Sequence, residues 1–204
     1  MTKTTKIISV ILAAGDSKRM GKPKQLMPWG KHTLIEHAIE QHLKSKVSEI
    51  YVVLGANFEK IKNQIKDYPV KILENKTWES GLSASIVKAA HHIKQEKVEA
   101  GGILISLVDQ PLLDADYLST LLQIFDENPD KIATTAYEKK YGVPAVFPIA
   151  YLAALIELSG DKGAGDIINN TDKDKLHTLN PGSKVFDIDT VDEYKRLRQL
   201  YNIE

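Results

Sequence analysis

Short apolar runs and apolar stripes at helical spacing alternate along the chain. The first run, Ile7 to Leu12, is rich in β-branched side chains, follows Lys6 and ends in Ala13-Ala14-Gly15. A run of that length and composition reads as a strand buried on both faces. Thr33-Leu34-Ile35-Glu36 has capping-box spacing, with a hydroxyl for the third helical amide and a carboxylate for the cap amide. Leu34, Ile35, Ala38, Ile39 and Leu43 then share one face, so a helix is predicted over 33–44.

The same alternation continues. Residues 50–54 predict a second buried strand, stopped by Gly55. Asn57 is placed to cap a helix carrying Phe58, Ile61 and Ile65, and Pro69 ends that segment before a short strand over 70–73. Glu74 to Gly81 shows no periodicity and is expected to be a loop, leading into a helix over 82–97. The second strongest strand signal, 103–108, stops at Asp109-Gln110-Pro111. Asp114 caps a helix with Tyr117, Leu118, Leu121, Leu122 and Phe125 inward. Strands over 132–136 and 143–147 flank a polar Glu138-Lys139-Lys140 turn. A short helix over 149–158, a glycine-rich loop from Gly160 to Asp166 and a brief helix at Ile167-Ile168 follow. A last strand is expected at 185–188, and Thr190 with Glu193 forms a second capping box opening the terminal helix.

Strands alternating with helices predict an α/β fold: a mostly parallel sheet covered on both faces. No repeat and no long linker divides the chain, so a single domain over 1–204 is expected. Composition narrows the function. There are 27 cations and 27 anions, so no global field draws the protein to nucleic acid or an anionic membrane, and any basic site is local. The chain contains no cysteine, which removes disulfides, thiolate metal sites and cysteine nucleophiles and fits a cytoplasmic location. The first apolar run is too short for a membrane span and lacks the features of a signal peptide.

In an open parallel sheet, ligands sit beyond the carboxyl ends of the strands. Three chemistry-bearing segments are expected there: Ala13–Lys24, Asp109-Gln110-Pro111 and Asp187-Ile188-Asp189. The first carries Lys18, Arg19, Lys22 and Lys24 after small residues that let a ligand approach the backbone. Cations facing one or two carboxylates are the arrangement of a metal–phosphate site. Two standard motifs fail. The P-loop needs four residues between its glycines and then Lys-Ser or Lys-Thr, whereas Gly15 and Gly21 are separated by five residues and Pro23 follows Lys22. The loop also lacks the Gly-x-Gly-x-x-Gly of dinucleotide sites.

Leu12-Ala13-Ala14-Gly15-Asp16-Ser17-Lys18-Arg19-Met20-Gly21-Lys22-Pro23-Lys24 resembles the opening signature of nucleotidyltransferases. Its continuation Gln25-Leu26-Met27-Pro28-Trp29-Gly30, with Gly81-Leu82-Ser83-Ala84-Ser85, Leu107-Val108-Asp109-Gln110-Pro111, Gly160-Asp161-Lys162-Gly163-Ala164 and Asp187-Ile188-Asp189-Thr190, is similar to the MobA-like branch that includes molybdenum cofactor cytidylyltransferases. The resemblance implies a three-layer α/β/α Rossmann-like fold. It also implies Mg²⁺-dependent transfer of a nucleoside monophosphate from an NTP to a phosphorylated acceptor, with release of pyrophosphate. Carried over by position, Leu12, Ala13, Ala14, Gly15, Lys24, Gly81, Ser83 and Ser85 bind the nucleotide. Arg19, Lys24 and Asp109 are catalytic, and Asp109 with Asp189 holds Mg²⁺. Ala14, where guanylyl-transferring relatives carry Gly, points to CTP, and the branch points to molybdopterin as acceptor, with a molybdoenzyme or its maturation chaperone as a further partner. Two acceptor-side segments depart from the pattern: Val143 stands where His is usual before Pro144, and Gly165 where Arg is usual.

Other readings coexist with this one. Asp109 before Pro111 also suits a helix-entry turn, and Asp189 the approach to the last helix. Trp29 and Trp78 read as packing residues, Trp78 in a loop placed to cover a nucleotide. A sugar phosphate or alcohol phosphate is the alternative acceptor. A non-catalytic carrier of nucleotide or cofactor is a second class, and a hydrolase using Ser83 a third, although Ser85 stands where a nucleophile elbow needs Gly.

Overall fold

The computed structural model describes residues 5–160 and 162–203. Its strands are β1 (Ile7–Ala13), β2 (Pro28–Trp29), β3 (His32–Thr33), β4 (Glu49–Leu54), β5 (Lys71–Glu74), β6 (Gly102–Leu107), β7 (Ile132–Ala136), β8 (Tyr141–Pro148) and β9 (Leu176–Leu179). Its α-helices are α1 (Leu34–Lys44), α2 (Phe58–Ile65), α3 (Leu82–Gln95), α4 (Ala115–Glu127), α5 (Leu152–Ile156), α6 (Ala164–Asn169) and α7 (Val191–Leu200). Seven strands form one sheet in the order β5-β4-β1-β6-β8-β7-β9, and β2 pairs with β3 in a separate ribbon. Pairing is parallel except where β8 meets β6 and β7, so β8 alone runs against the other strands of the sheet.

The alternation of side chains along β1 builds the layers. Ile8, Val10 and Leu12 face α3, α5 and α6 across one surface of the sheet. Ile11 and Ala13 face α1 and α2 across the other, while Ile7 packs with α4. Both faces are covered, as the near-continuous apolar strands require. This is the three-layer, mostly parallel α/β fold that the alternation of elements predicts. Among the described residues, no helix is long and apolar enough to cross a membrane.

Both capping boxes form: Thr33 accepts from the Glu36 amide, and Thr190 from the Glu193 amide, with each glutamate bonded back to its cap. Asp114 caps α4 through the Tyr117 amide at 2.9 Å. Asn57 stands before α2 but adopts a left-handed backbone, φ 58°, and its side chain makes no capping bond. The expected strand at 185–188 is absent. That segment docks by burying Ile188 against Met20, Trp29, Tyr194 and Leu197, and the Ile188 amide donates to the Asp109 carbonyl at 2.9 Å instead of joining the sheet. The sheet's last strand is β9, a four-residue edge strand too short to stand out by periodicity.

The chain passes from β1 to β4 on one side and later crosses from β5 to β6 on the other, so the order reverses between β1 and β6. A crevice opens at the carboxyl ends of those two strands, where α/β sheets bind ligands.

Candidate active site

The loop after β1 is held open by a few specific contacts. Ser17 and Gly21 take left-handed backbones, φ 58° and 65°, bracketing the turn Lys18–Met20. Met20 plugs into the apolar cluster with Met27, Trp29 and Ile188, and the Ser17 hydroxyl accepts from the Lys24 amide at 3.1 Å. Gln25 is buried, and its side-chain amide donates to the Ala13 carbonyl at 2.9 Å and to the Gly15 carbonyl at 2.7 Å. These two bonds present the outer face of Ala13-Ala14-Gly15 to the crevice.

A cleft of about 770 Å³ lies against that face. Leu12, Ala13, Ala14, Gly15, Lys24 and Gln25 form one wall, Trp78, Gly81, Leu82 and Ser85 the other, and Leu107, Val108 and Asp109 the floor. The walls meet where Trp78 crosses Gly55: a Cβ on Gly55 would lie 2.5 Å from the Trp78 Cβ and 2.7 Å from the Ala14 carbonyl oxygen. Only glycine permits that approach. Ser85 is fixed by Asn75, whose side-chain amide donates to its hydroxyl at 3.1 Å.

A smaller compartment of about 240 Å³ adjoins the cleft and shares Gly15, Asp16, Lys18 and Lys24 with it. Ser17, Arg19, Met20 and Asp189 complete it. Here Lys24 Nζ donates to Asp109 Oδ2 at 2.5 Å, to the Ile188 carbonyl at 3.1 Å and to Asp189 Oδ1 at 3.3 Å. Arg19 Nη2 lies 2.9 Å from Asp189 Oδ2. Asp109 and Lys24 are mostly buried, with side chains 16% and 13% exposed, whereas Arg19 reaches solvent.

Burial pushes the Asp109 carboxyl above its ordinary value, more strongly than Lys24 pulls it down, and the charge of Asp187 adds to the rise. Burial also acts to raise Asp189, but Lys24 and Arg19 outweigh it and hold that carboxyl below its ordinary value. Next to Asp109, the Gln110 amide donates to Asp187 Oδ1 at 2.9 Å and to the Tyr137 hydroxyl at 3.2 Å. The Tyr137 hydroxyl donates in turn to the Val143 carbonyl. Burial raises the Tyr137 phenol to about 12, so it stays protonated.

The donor set fits a hard divalent cation. Asp109 Oδ1 is buried and has no hydrogen-bond partner among the described residues, and Asp109 and Asp189 converge on one point held by the lysine ammonium. No cluster of three or more His, Asp or Glu side chains suited to a metal occurs among the described residues. Mg²⁺ sites in general use one or two carboxylates and keep water and phosphate oxygens as further ligands.

Of the residues singled out from sequence, Leu12, Ala13, Ala14, Gly15, Lys24, Gly81, Ser85 and Asp109 converge on the cleft, and Arg19 and Asp189 on the compartment beside it. Ser83 does not line the cleft. Its hydroxyl donates to the Gly160 carbonyl at 2.7 Å, and it faces a separate groove along α3. That bond brings the second glycine-rich loop against the start of α3; Asp161 lies outside the described residues. Sequence reasoning missed Gln25 and Gly55. Gln25 enters the sequence reading only as part of the motif that follows Lys24, and Gly55 only as a strand stop, because both act through contacts distant in sequence.

Fold and site together describe an α/β protein built to hold a phosphorylated ligand at a switch point. The family described as the MobA-like NTP transferase domain matches residues 9–176. The chain belongs to that family, and its class is nucleotidyltransferase. It is 32% identical to nicotine blue oxidoreductase of Paenarthrobacter nicotinovorans, over 94% of this chain and 96% of that protein. It is 26% identical to the purine catabolism protein PucB of Bacillus subtilis, over 95% and 96% respectively. Among solved structures, Rv0371c from Mycobacterium tuberculosis superposes with a TM-score of 0.78 at 26% identity, covering 96% of this chain and 99% of that one. A structure of Rv0371c in complex with manganese superposes with a TM-score of 0.77 at 23% identity, covering 96% and 99%.

Proposed function

We propose that this protein transfers CMP from CTP to a phosphorylated acceptor of the molybdopterin type, with Mg²⁺ as cofactor and pyrophosphate as the second product. The observation that carries the reading is the convergence of Lys24, Asp109 and Asp189 at the mouth of a cleft walled by Ala13-Ala14-Gly15. The cleft takes base and ribose, and the adjoining compartment takes the phosphates, with Arg19 and Lys24 as their cations. Asp109 and Asp189 hold the metal, and the manganese complex of a structural neighbour is in keeping with a divalent ion in this fold. When bound, the ion supplies charge neutralisation on the phosphate oxygens.

The chemistry asks little else of the chain. An acceptor phosphate oxygen, already ionised, attacks the α-phosphorus; the bond from that phosphorus to the bridging oxygen breaks, and pyrophosphate leaves with the electron pair. Positioning and fixed charge supply most of the rate in such a transfer. Lys24 and Arg19 stabilise charge developing on the leaving group, and Gln25 fixes the main chain that orients the donor. Gln110, Asp187 and Tyr137 form a polar cluster beside Asp109, toward β8, where an acceptor approaches. The acceptor preference rests on the branch resemblance; sugar phosphates and alcohol phosphates are its competitors. A cytoplasmic setting is part of the proposal, supported by the cysteine-free sequence.

The test is pyrophosphate release with each NTP, Mg²⁺ and candidate acceptors. Release with CTP and molybdopterin supports the reading, and no release with any NTP and acceptor refutes it. The same assay separates transfer from the redox chemistry named in one relative, since an oxidoreduction releases no pyrophosphate.

A further inference from the structure

Lys24 sits where a metal ion would be expected. Its ammonium has three N–H donors and three oxygen partners: one carboxylate oxygen each from Asp109 and Asp189, and the Ile188 carbonyl. All three are hydrogen bonds of 3.3 Å or less, on a side chain that is only 13% exposed. An ammonium caged by oxygens imitates a coordinated cation. We infer that Lys24 is the resident cation of the metal site, and that a divalent ion enters only when nucleotide phosphates draw the lysine away. This rests on the nucleotide-transfer reading above and deepens it.

Charge balance decides the order. In the free protein Asp109 and Asp189 hold Lys24 between them, with Arg19 also on Asp189 and the charge of Asp187 also acting on Asp109. A divalent ion arriving alone would set two further positive charges beside an ammonium already seated where the two carboxylates converge. Mg²⁺ binds oxygen at about 2.0–2.1 Å, so on either Asp109 oxygen it would lie close beside the ammonium, and the two like charges repel. An NTP changes the balance. Its triphosphate brings more negative charge than one divalent ion offsets, and it offers the ammonium new oxygens. Lys24 then moves from carboxylates to phosphates, and Asp109 and Asp189 are free to ligate. Lys24 therefore has two posts, and the exchange between them keeps a bare metal out of the site and ties metal loading to the donor.

Mn²⁺ binding to nucleotide-free protein, followed by electron paramagnetic resonance, tests this without any assay of turnover. The wild type is expected to show no saturable Mn²⁺ site dependent on Asp109. Lys24→Met and Lys24→Gln are expected to gain one, at least tenfold tighter than any residual Mn²⁺ binding by the wild type, and adding Asp109→Asn is expected to remove it. Mn²⁺ should also raise the melting temperature of the Lys24 variants and leave that of the wild type unmoved. Stoichiometric Mn²⁺ binding by the wild type that Asp109→Asn abolishes would overturn the inference, and this arm needs no Lys24 variant to fold. Equal Mn²⁺ binding in wild type and Lys24 variants, or none in either, would also overturn it. Each of these results is independent of whether pyrophosphate is released, so failure here and failure of the transfer reading are told apart.

Discussion

The Gln25 side chain donates to the Gly15 carbonyl at 2.7 Å, ten residues back along the chain, and so shapes the wall against which a nucleotide would lie. Its second bond, to Ala13, fixes the other end of the same turn. Gln25→Leu keeps the bulk and removes both donors, leaving two main-chain carbonyls without their partner. An unsatisfied buried polar group costs about 1–3 kcal/mol. The variant should therefore unfold at lower urea, with a stability loss of about 2 kcal/mol, and bind CTP more weakly. Equilibrium unfolding and calorimetric titration check the two effects. Unchanged nucleotide affinity would mean that the turn does not depend on Gln25.

Gly55 gives a second handle on the same cleft. A methyl group there meets the Trp78 side chain and the Ala14 carbonyl well inside contact distance, so one wall must shift away from the other. Overpacking of this kind costs about 1–3 kcal/mol. Gly55→Ala should lose stability in that range and bind CTP more weakly, because the walls that meet at Gly55 are also walls of the cleft. Trp78 fluorescence reports the shift directly. An unmoved emission spectrum with unchanged CTP binding would contradict the packing described.

His42 sets a pH limit on the fold. It is fully buried between the Ser9 hydroxyl, 2.6 Å from Nδ1, and the Ser106 hydroxyl, 2.9 Å from Nε2. Burial lowers its pKa from 6.5 to about 3, so the folded protein keeps it neutral where the unfolded chain protonates it. The unfolded state then binds the extra proton. The contribution is whole above pH 6.5 and is lost as pH falls toward about 3, at about 1.4 kcal/mol per pH unit. Urea unfolding between pH 7 and pH 4.5 should show that slope, and His42→Leu should flatten it relative to wild type. An equally steep slope in both would place the acid sensitivity elsewhere.

How much of this could be read from the residues alone follows from the range over which each signal acts. β1, β4 and β6 announce themselves by continuous apolar runs, and α1, α4 and α7 by stripes with caps a few residues away. Leu12 to Gly15, Lys24 and Asp109 were legible because strand ends of a parallel sheet collect ligands and the residues there are small or charged. β9 escapes periodicity because four residues at a sheet edge carry too little alternation, and 185–188 reads as a strand although its apolar residues serve docking instead. The antiparallel sense of β8 is a property of the assembled sheet. Gln25, Gly55 and the caging of Lys24 depend on contacts between segments far apart in sequence, which no local pattern records. Ser83 was grouped with Ser85 by motif, but the two point to opposite sides of α3: Ser85 toward the cleft and Ser83 toward Gly160.

Asp189 separates phosphate positioning from metal binding. Asp189→Asn removes the charge that holds Arg19 and one of the three Lys24 contacts, while Asp109 keeps its own bond to Lys24. The expected result is a partial loss of pyrophosphate release, smaller than for a change at Asp109, with a raised Mg²⁺ requirement. A Mg²⁺ titration of the initial rate checks it; an unchanged requirement would remove Asp189 from the metal's surroundings.

The most direct measurement is pyrophosphate release from CTP by wild type and Asp109→Asn, with Mg²⁺ and molybdopterin present. Asp109 is the carboxylate at which cleft, lysine and proposed metal meet. The account predicts release by the wild type and a loss of at least about 100-fold in the variant, the scale expected when a central electrostatic group is removed. A wild type that releases no pyrophosphate would contradict CMP transfer to molybdopterin, and a variant that matches an active wild type would contradict the role of Asp109.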